Sequence, residues 1–346
     1  MGRSVSGDSA HDINNSEKIT KFYTPSAWID DRAEQQLKHV ASWAGVKRIA
    51  AFPDLHPGKY GPVGCAVLAN RIYPQLIGND IGCGMSLFQL DLPVRKIKLE
   101  KCLRRMRALG EPLPTSHASL LASQLEAQQL PVDLHIAKLG TIGGGNHFCE
   151  VQTLASADDG LGLSSKSSFL LVHSGSRSFG NTIFDTLTES EFAGLLPDSE
   201  QAVRYLQLHD QAVLWASVNR QIIAERAAEA LRCEVKLIVD SPHNALVRIN
   251  NGYLHRKGAA DATTSLVPLA GSRASASFLM TPKDCAMAMH SSAHGAGRRY
   301  DRRSLHGRVS GKRSDLEAMK RTAFGGRIVC EDRDLLQFVL CIVPAD

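Results

Sequence analysis

Short apolar runs recur along the 346-residue chain, and Gly, Pro, Ser or Asn bounds each of them. The runs are only a few residues long and contain β-branched or aromatic residues, which is typical of buried strands. This pattern predicts strands at 64–68, 85–90, 169–172, 235–239, 266–269 and 277–280.

Two segments show helical signals instead. From Ser199 to about Arg232, apolar residues return at helical spacing, and Ser199 can cap the first turn. Ser314 followed by Glu317 fits a capping box, and Gly325 can end that second helix. Because strands and helices mix without a regular βαβ alternation, the pattern predicts an α+β fold.

The domain organisation is predicted from where the motifs lie. Residues 1–20 are polar and are predicted to be a tail. Short Gly- and His-containing motifs spread from position 53 to 299, without a repeat or a clear linker between them. We therefore expect residues 21–346 to form one catalytic domain.

Composition narrows the class of protein. Hydrophobic residues make up 43% and charged residues 22% of the chain, as in ordinary soluble proteins. No run of 18 apolar residues and no signal peptide is visible, and the eight cysteines form no C-x-x-C pair. These features predict a cytoplasmic protein with reduced thiols and no membrane partner. The net charge of +5 permits a nucleic-acid partner without requiring one.

The first candidate for chemistry is the glycine-rich segment 78–84. It places Asp80 three residues before Cys83. Glycines allow backbone to approach a bound group closely, and an oxygen ligand beside a sulfur ligand suits a borderline divalent metal. A turn with a buried cysteine is the competing interpretation.

A second segment has three glycines, 143–145, followed by Asn146, His147 and, after Phe148 and Cys149, Glu150. Free N–H groups in such a loop can bind phosphate, although a flexible turn would have the same composition. The chain has no Walker pattern G-x-x-x-x-G-K-[ST].

Two further histidines, His173 and His243, each follow an apolar strand. A lone histidine in such a place is more often structural. Three imidazoles together with one carboxylate and one thiolate can hold two metal ions, with the sulfur bridging.

The last segment contains His294, small residues on either side of it, and a basic run from Arg298 to Arg303. A neutral imidazole can attack phosphorus, and guanidinium groups can bind phosphate oxygens. His290 is the alternative nucleophile, but it follows an apolar stretch and is expected to pack. A structural loop histidine beside a solvated basic run also fits.

Taken together, these segments resemble the RtcB family of RNA ligases, in that family's order and over roughly residues 50 to 335. The matching stretches begin at Pro53-Asp54-Leu55-His56, Asp80-Ile81-Gly82-Cys83, Gly145-Asn146-His147-Phe148, His173-Ser174-Gly175-Ser176-Arg177, His243-Asn244, Arg256-Lys257-Gly258 and His294-Gly295-Ala296-Gly297. The resemblance implies an RtcB-like complex mixed fold with a central catalytic pocket.

The resemblance also implies a reaction and its residues. Asp80, Cys83, His147, His173 and His243 would hold two Mn²⁺ ions, and His294 would carry GMP taken from GTP. The GMP would activate an RNA 3′-phosphate, from a free or 2′,3′-cyclic phosphate end, for joining to a 5′-hydroxyl in tRNA splicing or RNA repair. Stretches resembling guanylate contacts are Asn146, His147, Phe148, Cys149, Glu150, His243, Asn244, Ala270, Gly271, Ser272, Arg273, Ser277, His294, Gly295, Ala296 and Gly297. The RNA itself, the oligomeric state and the need for an activating protein are not predicted.

Three departures from the family pattern leave alternatives open. Ala270–Arg273 stands where the family has Pro-Gly-Ser-Met, and the segment between His243 and Arg256 is short. No counterpart of the family's C-terminal guanine-contacting lysine follows Gln337, so the family's C-terminal segment is expected to be missing. A metal-dependent phosphoesterase or an inactive RNA-binding relic are the alternative functions. The absence of K-x-D-G disfavours a lysine-AMP ligase.

Overall fold

The computed structural model describes residues 15–156, 159–272, 275–297 and 312–329. Within them the longer helices are α1 Asp31–Ala41, α2 Pro74–Ile77, α3 Leu99–Met106, α4 Ala118–Glu126, α5 Arg177–Asp185, α6 Glu189–Phe192, α7 Glu200–Leu231 and α8 Arg313–Met319. The strands are β1 Ile19–Lys21, β2 Val46–His56, β3 Val63–Ala69, β4 Gly84–Pro93, β5 Phe148–Thr153, β6 Ser167–Ser174, β7 Val235–Pro242, β8 Asn244–Ile249, β9 Gly252–Lys257, β10 Ala259–Asp261, β11 Val267–Leu269, β12 Phe278–Met280 and β13 Ser291–Ala293.

A four-stranded antiparallel sheet has the order β5-β6-β4-β7. In the register of its strands, Gly84 at the start of β4 lies opposite Ser174 on one side and Pro242 on the other. Consequently the start of β4 and the ends of β6 and β7 meet at one edge. Phe148, the first residue of β5, pairs with His173 at that same edge.

A five-stranded sheet has the order β1-β2-β3-β9-β8. Its strands are antiparallel except for β1, which runs parallel to β2. Helix α1 packs on this sheet through Leu37 and Val40, which are 1% exposed. Ile19 and Thr20 pair with β2, so the sheet begins inside the segment predicted as a tail.

Helix α7 packs across the four-stranded sheet. The Ser199 side chain accepts a hydrogen bond from the Ala202 N–H, as the sequence predicts for an N-cap, and the helix ends at an αL residue, Arg232. Ile223 and Ala224 are buried in one core cluster with Leu170 and Val172 of β6. This packing fixes the sheet edge on which the candidate ligands lie.

The structure confirms the α+β prediction and each of the six predicted strands within one or two residues at their starts. The capping box at Ser314 is wrong, because α8 begins at Arg313 with Lys312 as its N-cap and ends at Met319, well before Gly325. None of the helices in the described residues is both long and apolar enough to cross a membrane.

Candidate active site

The five predicted metal ligands converge at one edge of the four-stranded sheet. Cys83 comes directly before β4, His243 directly after β7, and His147 directly before β5. His173 is the penultimate residue of β6, and Asp80 lies on the turn that leads to Cys83. The sheet register therefore brings together residues that are 163 positions apart in the sequence.

Their donor atoms form two groups that share one sulfur. Cys83, His173 and His243 make one group, and Asp80, Cys83 and His147 make the other, each with ligand atoms within 4.8 Å of one another. The Cys83 Sγ atom lies 3.2 Å from His173 Nε2 and 3.4 Å from His147 Nε2. Two Nε2 atoms, of His173 and His243, are 3.3 Å apart, and His147 Nε2 is 2.9 Å from Asp80 Oδ2.

This spacing suits metal ions. Bonds of about 2.0 Å to nitrogen and 2.3 Å to sulfur place the ligand atoms of one ion roughly 3 to 3.6 Å apart. Neutral imidazole, carboxylate and thiolate are together the ligands of a borderline divalent ion. The residues present therefore fit a two-ion centre.

Two of the candidate ligand histidines, His173 and His243, are in the neutral form that can bind metal. His173 Nδ1 lies 2.9 Å from the Asn146 carbonyl oxygen, which can only accept, so Nδ1 carries the proton and Nε2 has a free lone pair. Burial, followed by neighbouring histidines, holds the pKa of His173 and of His243 well below its usual value. Both rings are therefore neutral at physiological pH.

The acidic ligands respond in opposite directions. Burial raises the pKa of Asp80, but the charge and hydrogen bond of His147 outweigh it, so the net shift is downward. Burial, followed by Asp80, raises the pKa of the Cys83 thiol well above its usual value. A cation bound at this centre would favour the thiolate, because metal coordination deprotonates a thiol.

His294 follows β13 and enters the same space. Its ring centre is 4.5 Å from that of His243. Asp54 is 1% exposed, and its Oδ2 accepts hydrogen bonds from the backbone N–H groups of His294 and Gly295. The same Oδ2 lies 2.6 Å from His294 Nδ1, so a proton on Nδ1 would face the Asp54 carboxylate.

His290 is placed differently from the expectation that it packs. Its side chain is 45% exposed and pairs with Asp284. It stands just before β13, whereas His294 stands just after it. The two histidines therefore face different surroundings, and His294 alone of the two contacts a predicted ligand.

A buried carboxyl group lies on β5, two residues beyond Phe148. Glu150 is 3% exposed; its Oε2 accepts from Gln152, and its Oε1 has no hydrogen-bond partner among the described residues. Burial raises the pKa of Glu150 well above its usual value. The Gln152 amide also donates to Ser277 Oγ, which accepts from the Gly271 N–H.

The chain matches the family described as "tRNA-splicing ligase RtcB" over residues 36–131 and 120–325. It is 36% identical to RNA-splicing ligase RtcB2 of Escherichia coli strain ATCC 25922, an alignment that covers 93% of this chain and 86% of that relative. The chain belongs to the RtcB family. It is also 27% identical to RNA-splicing ligase RtcB of E. coli K12, with 80% of each chain covered, and 26% identical to tRNA-splicing ligase RtcB of Nanoarchaeum equitans, with 79% and 78% covered.

The other RtcB stretches singled out in the sequence have varied surroundings. The side-chain amide of Asn244 forms hydrogen bonds inside the protein. It donates to the Asp80 carbonyl and accepts from the Gly258 N–H. Phe148 and Ala270 are core residues of one cluster. Gly295 forms a bridge with Ala270, and Ala296 is exposed. Arg273 and the basic run from Arg298 to Arg303 lie outside the described residues.

Sequence reasoning assigned no role to Arg220, a buried residue of α7. Its guanidinium donates to both Asp240 carboxylate oxygens, at 2.7 and 2.8 Å, and to the carbonyls of Gly82 and Ser174, at 2.8 and 2.9 Å. Arg220 therefore holds the turn before Cys83 against the end of the His173 strand. An arginine inside an otherwise apolar helix face was the only signal that could have indicated it.

Lys257 and Asp54 lacked assigned roles as well, although both stand in matching motifs. Lys257 is buried, and its ammonium donates to the Ile77 carbonyl at 2.5 Å. Burial lowers the pKa of Lys257, and the nearby Asp80 and Cys83 oppose that shift. This places a fixed positive charge beside the two acidic ligands of the RtcB centre.

Proposed function

We propose that this chain is a GTP- and Mn²⁺-dependent RNA ligase that joins 3′-phosphate or 2′,3′-cyclic phosphate ends to 5′-hydroxyl ends. The observation that carries the proposal is the contact between His294 and His243. Through this contact, an imidazole that can act as a nucleophile lies next to the residues that suit two divalent ions. Membership of the RtcB family supports the same reaction.

Asp80, Cys83, His147, His173 and His243 would hold two Mn²⁺ ions with Cys83 shared. When bound, they would neutralise phosphate charge and orient the reacting phosphate. The remaining chemistry belongs to the chain itself. Asp54 holds the proton of His294 on Nδ1, which leaves the Nε2 lone pair free to attack.

In the first step, His294 Nε2 forms a bond to the α-phosphorus of GTP while the bond to the pyrophosphate oxygen breaks. The imidazole gains positive charge, and the Asp54 carboxylate beside Nδ1 stabilises it. An oxygen of the RNA 3′-phosphate then attacks the same phosphorus and releases His294, which leaves the RNA end carrying GMP.

In the last step, the RNA 5′-hydroxyl attacks the activated 3′-phosphorus. A phosphodiester bond forms, the bond to GMP breaks, and the hydroxyl proton passes to solvent or to a base at the site. The 3′-phosphate thus becomes the joining phosphate. This route requires a phosphate on the 3′ side of the break, and water must first open a 2′,3′-cyclic phosphate to a 3′-phosphate by breaking its bond to the 2′-oxygen.

Glu150 supports guanine as the base that is bound. A buried carboxyl group with an unused Oε1 suits the N–H groups on one edge of guanine, whereas adenine presents an acceptor there. A site built to bind a donor discriminates strongly against an analogue that lacks it. We therefore propose GTP over ATP, with Ser277 and Gly271 near the same ligand.

Residues 21–346 are proposed to act as one RtcB-like catalytic domain, because the candidate residues come from both large sheets and their connections. We place its action in the cytoplasm, where Cys83 stays reduced and available to metal. The RNA could come from tRNA splicing or from RNA repair.

The test is incubation of the purified protein with GTP and Mn²⁺, followed by intact-mass measurement. The expected result is one added GMP that is acid-labile and base-stable, as a phosphorus–nitrogen bond requires. RNA with 3′-phosphate and 5′-hydroxyl ends should then be joined. Joining of 3′-hydroxyl to 5′-phosphate ends instead, or hydrolysis of RNA phosphates without any GMP adduct, would overturn the proposal and favour a phosphoesterase in the latter case.

A further inference from the structure

Positive charge is concentrated in one segment far along β4 from the candidate active site. Residues 94–107 contain seven Arg or Lys residues and a single acidic residue, Glu100. The segment's net charge of +6 therefore exceeds the +5 of the whole chain. Charge clustered in this way marks an electrostatic surface rather than a scattered solvated face.

The fold turns these cations outward. Helix α3 buries Cys102 and Met106 in a core cluster with Phe88 and Leu90 of β4. The cations on the opposite side are exposed, and we call them the basic surface: Arg95, Lys96, Lys98, Lys101, Arg104 and Arg107. Arg105 is used differently, since it donates to the Leu231 carbonyl at the end of α7.

The one acidic residue of the segment is already engaged. Glu100 Oε1 lies 3.7 Å from Arg327 Nε, so Arg327 adds charge of its own to this side of the helix. A hollow of about 570 Å³ opens there, and its lining includes Lys98, Arg321 and Arg327. Glu100 also lines this hollow, so three cationic side chains and one acidic side chain contribute to its lining.

A second, larger hollow of about 990 Å³ has Arg95 in its lining. Lys166 and Lys236 contribute positive charge to its lining, and Asp91 and Glu234 contribute negative charge. Lys98 lines the first hollow and Arg95 lines the second, so that a polyanion crossing the basic surface would contact cations from three segments of the chain.

The basic surface lies at a defined distance from the candidate active site. β4 begins directly after Cys83 and ends at Pro93, one residue before the basic segment. Ten strand residues extend roughly 30 Å. A continuous RNA duplex would cover this distance in about ten base pairs, at roughly 3 Å for each.

We propose that the basic surface binds the phosphate backbone of the RNA substrate about ten base pairs from the break that is joined. This inference rests on the proposed ligase function. It assigns structured RNA as the substrate class. This RNA must extend well away from the two ends that are joined, because a short RNA cannot reach from Cys83 to α3. An anionic membrane is disfavoured, since membrane-bound helices also insert an apolar face and the apolar face of α3 is buried.

The experiment compares two triple variants of the full chain. One removes cations from the basic surface (Arg95→Ala, Lys101→Ala and Arg104→Ala). The matched control removes the same number of exposed Arg and Lys residues elsewhere (Lys38→Ala, Arg204→Ala and Arg248→Ala). Binding is measured by fluorescence anisotropy without GTP, using a 20-base-pair RNA hairpin and a five-nucleotide RNA, both with 3′-phosphate ends.

The basic-surface variant should weaken hairpin binding by about tenfold or more, and it should lower the slope of log Kd against log salt by about two. Binding of the five-nucleotide RNA and the GMP adduct yield should match wild type, and the control variant should match it throughout. Equal hairpin affinity in all three proteins would overturn the inference, as would an equal loss for both RNAs or the same loss in the control. A wild-type chain that forms no GMP adduct contradicts the ligase proposal alone, because the binding measurement does not depend on catalysis.

Discussion

Asp54 touches His294 in two ways, since its Oδ2 accepts the His294 backbone N–H and lies 2.6 Å from the Nδ1 atom of the same residue. One carboxylate oxygen therefore sets both the position of the loop and the orientation of the imidazole. A tautomer with the proton on Nδ1 is the one that exposes the Nε2 lone pair. In the proposed mechanism, Asp54 is a positioning residue and His294 is the nucleophile.

Asp54→Asn should slow GMP adduct formation by about 10²- to 10⁴-fold, a range set by serine-protease carboxylates that hold a catalytic histidine. The amide oxygen can still accept the two backbone N–H groups, so the fold should survive. Single-turnover measurement of adduct formation at saturating GTP checks this. Mn²⁺ content should stay at the wild-type level. A rate within twofold of wild type would show that the contact has no role in tautomer selection.

His294→Ala should abolish the GMP adduct without removing Mn²⁺, because His294 is not in either group of ligand atoms. His290→Ala is the matched control, since His290 is half-exposed and pairs only with Asp284. Intact-mass spectra of both variants after incubation with GTP decide between them. An adduct that persists in His294→Ala contradicts the proposed mechanism.

Cys83→Ala should reduce binding of both metal ions, because its sulfur belongs to both groups of ligand atoms. Elemental analysis of protein equilibrated with Mn²⁺ should show a loss greater than one ion at sub-saturating metal. Cys65→Ala provides the control, as Cys65 is equally buried but lies outside both groups. Unchanged stoichiometry in Cys83→Ala would contradict the shared-ligand assignment.

Arg220→Met should destabilise the fold by about 3 to 5 kcal/mol, because it removes the charged partner of the Asp240 carboxylate, whose side chain is only 19% exposed. Urea unfolding measures this difference. The double variant Arg220→Met with Asp240→Leu should recover part of the lost stability and should bind metal poorly, since the Gly82 carbonyl loses its hydrogen bond from Arg220. Full stability in the single variant would mean that the ion pair contributes little.

Folding stability should also depend on pH through His255. This side chain is fully buried; its Nε2 accepts from the Tyr73 N–H and its Nδ1 donates to the Val67 carbonyl. Burial lowers the pKa of His255 to about 4. The unfolded chain takes up the proton first as pH falls below about 6.5, so this contribution is complete above that pH and is lost progressively down to about 4.

The free energy of unfolding falls by about 3 kcal/mol across that interval. Between the two pKa values, each pH unit removes about 1.4 kcal/mol. His255→Gln can keep both hydrogen bonds but cannot titrate. Its free energy of unfolding should therefore fall less between pH 6.5 and 4 than that of wild type, and the contribution of other groups cancels in the comparison. The exposed His39→Gln should follow the wild-type curve. Parallel curves for all three proteins would contradict the assignment.

The elements that sequence predicted well are those with a simple period. β4 and β6 are apolar runs buried on both faces, and α7 has both a cap and a repeating apolar face. β1 and β13 escaped prediction because their sequences, Ile-Thr-Lys and Ser-Ser-Ala, contain no apolar run. The prediction of a capping box at Ser314 was wrong, because Ser and Glu at the right spacing do not by themselves determine where a helix begins.

The candidate site, too, could be predicted from the sequence only in part. Asp80, Cys83, His147, His173 and His243 could be gathered from motifs, because each is a chemically distinctive residue beside a strand or glycine turn. Which of these residues lie close together could not be predicted from the motifs, since it depends on the register of β4 with β6 and β7. The role of Arg220 depends on burial inside α7, and that cannot be deduced from residue type alone.

The order of the ligands along the sheet has a consequence for synthesis of the chain. A nascent chain that has emerged only as far as α7 contains Asp80, Cys83, His147 and His173, but neither β7 nor His243. Because β7 pairs with β4, the edge that carries Cys83 lacks one neighbour until then. His294 emerges later still. A fragment that ends at α7 therefore lacks two of the candidate residues, and the candidate site is complete only once β7 and the segment after β13 have folded.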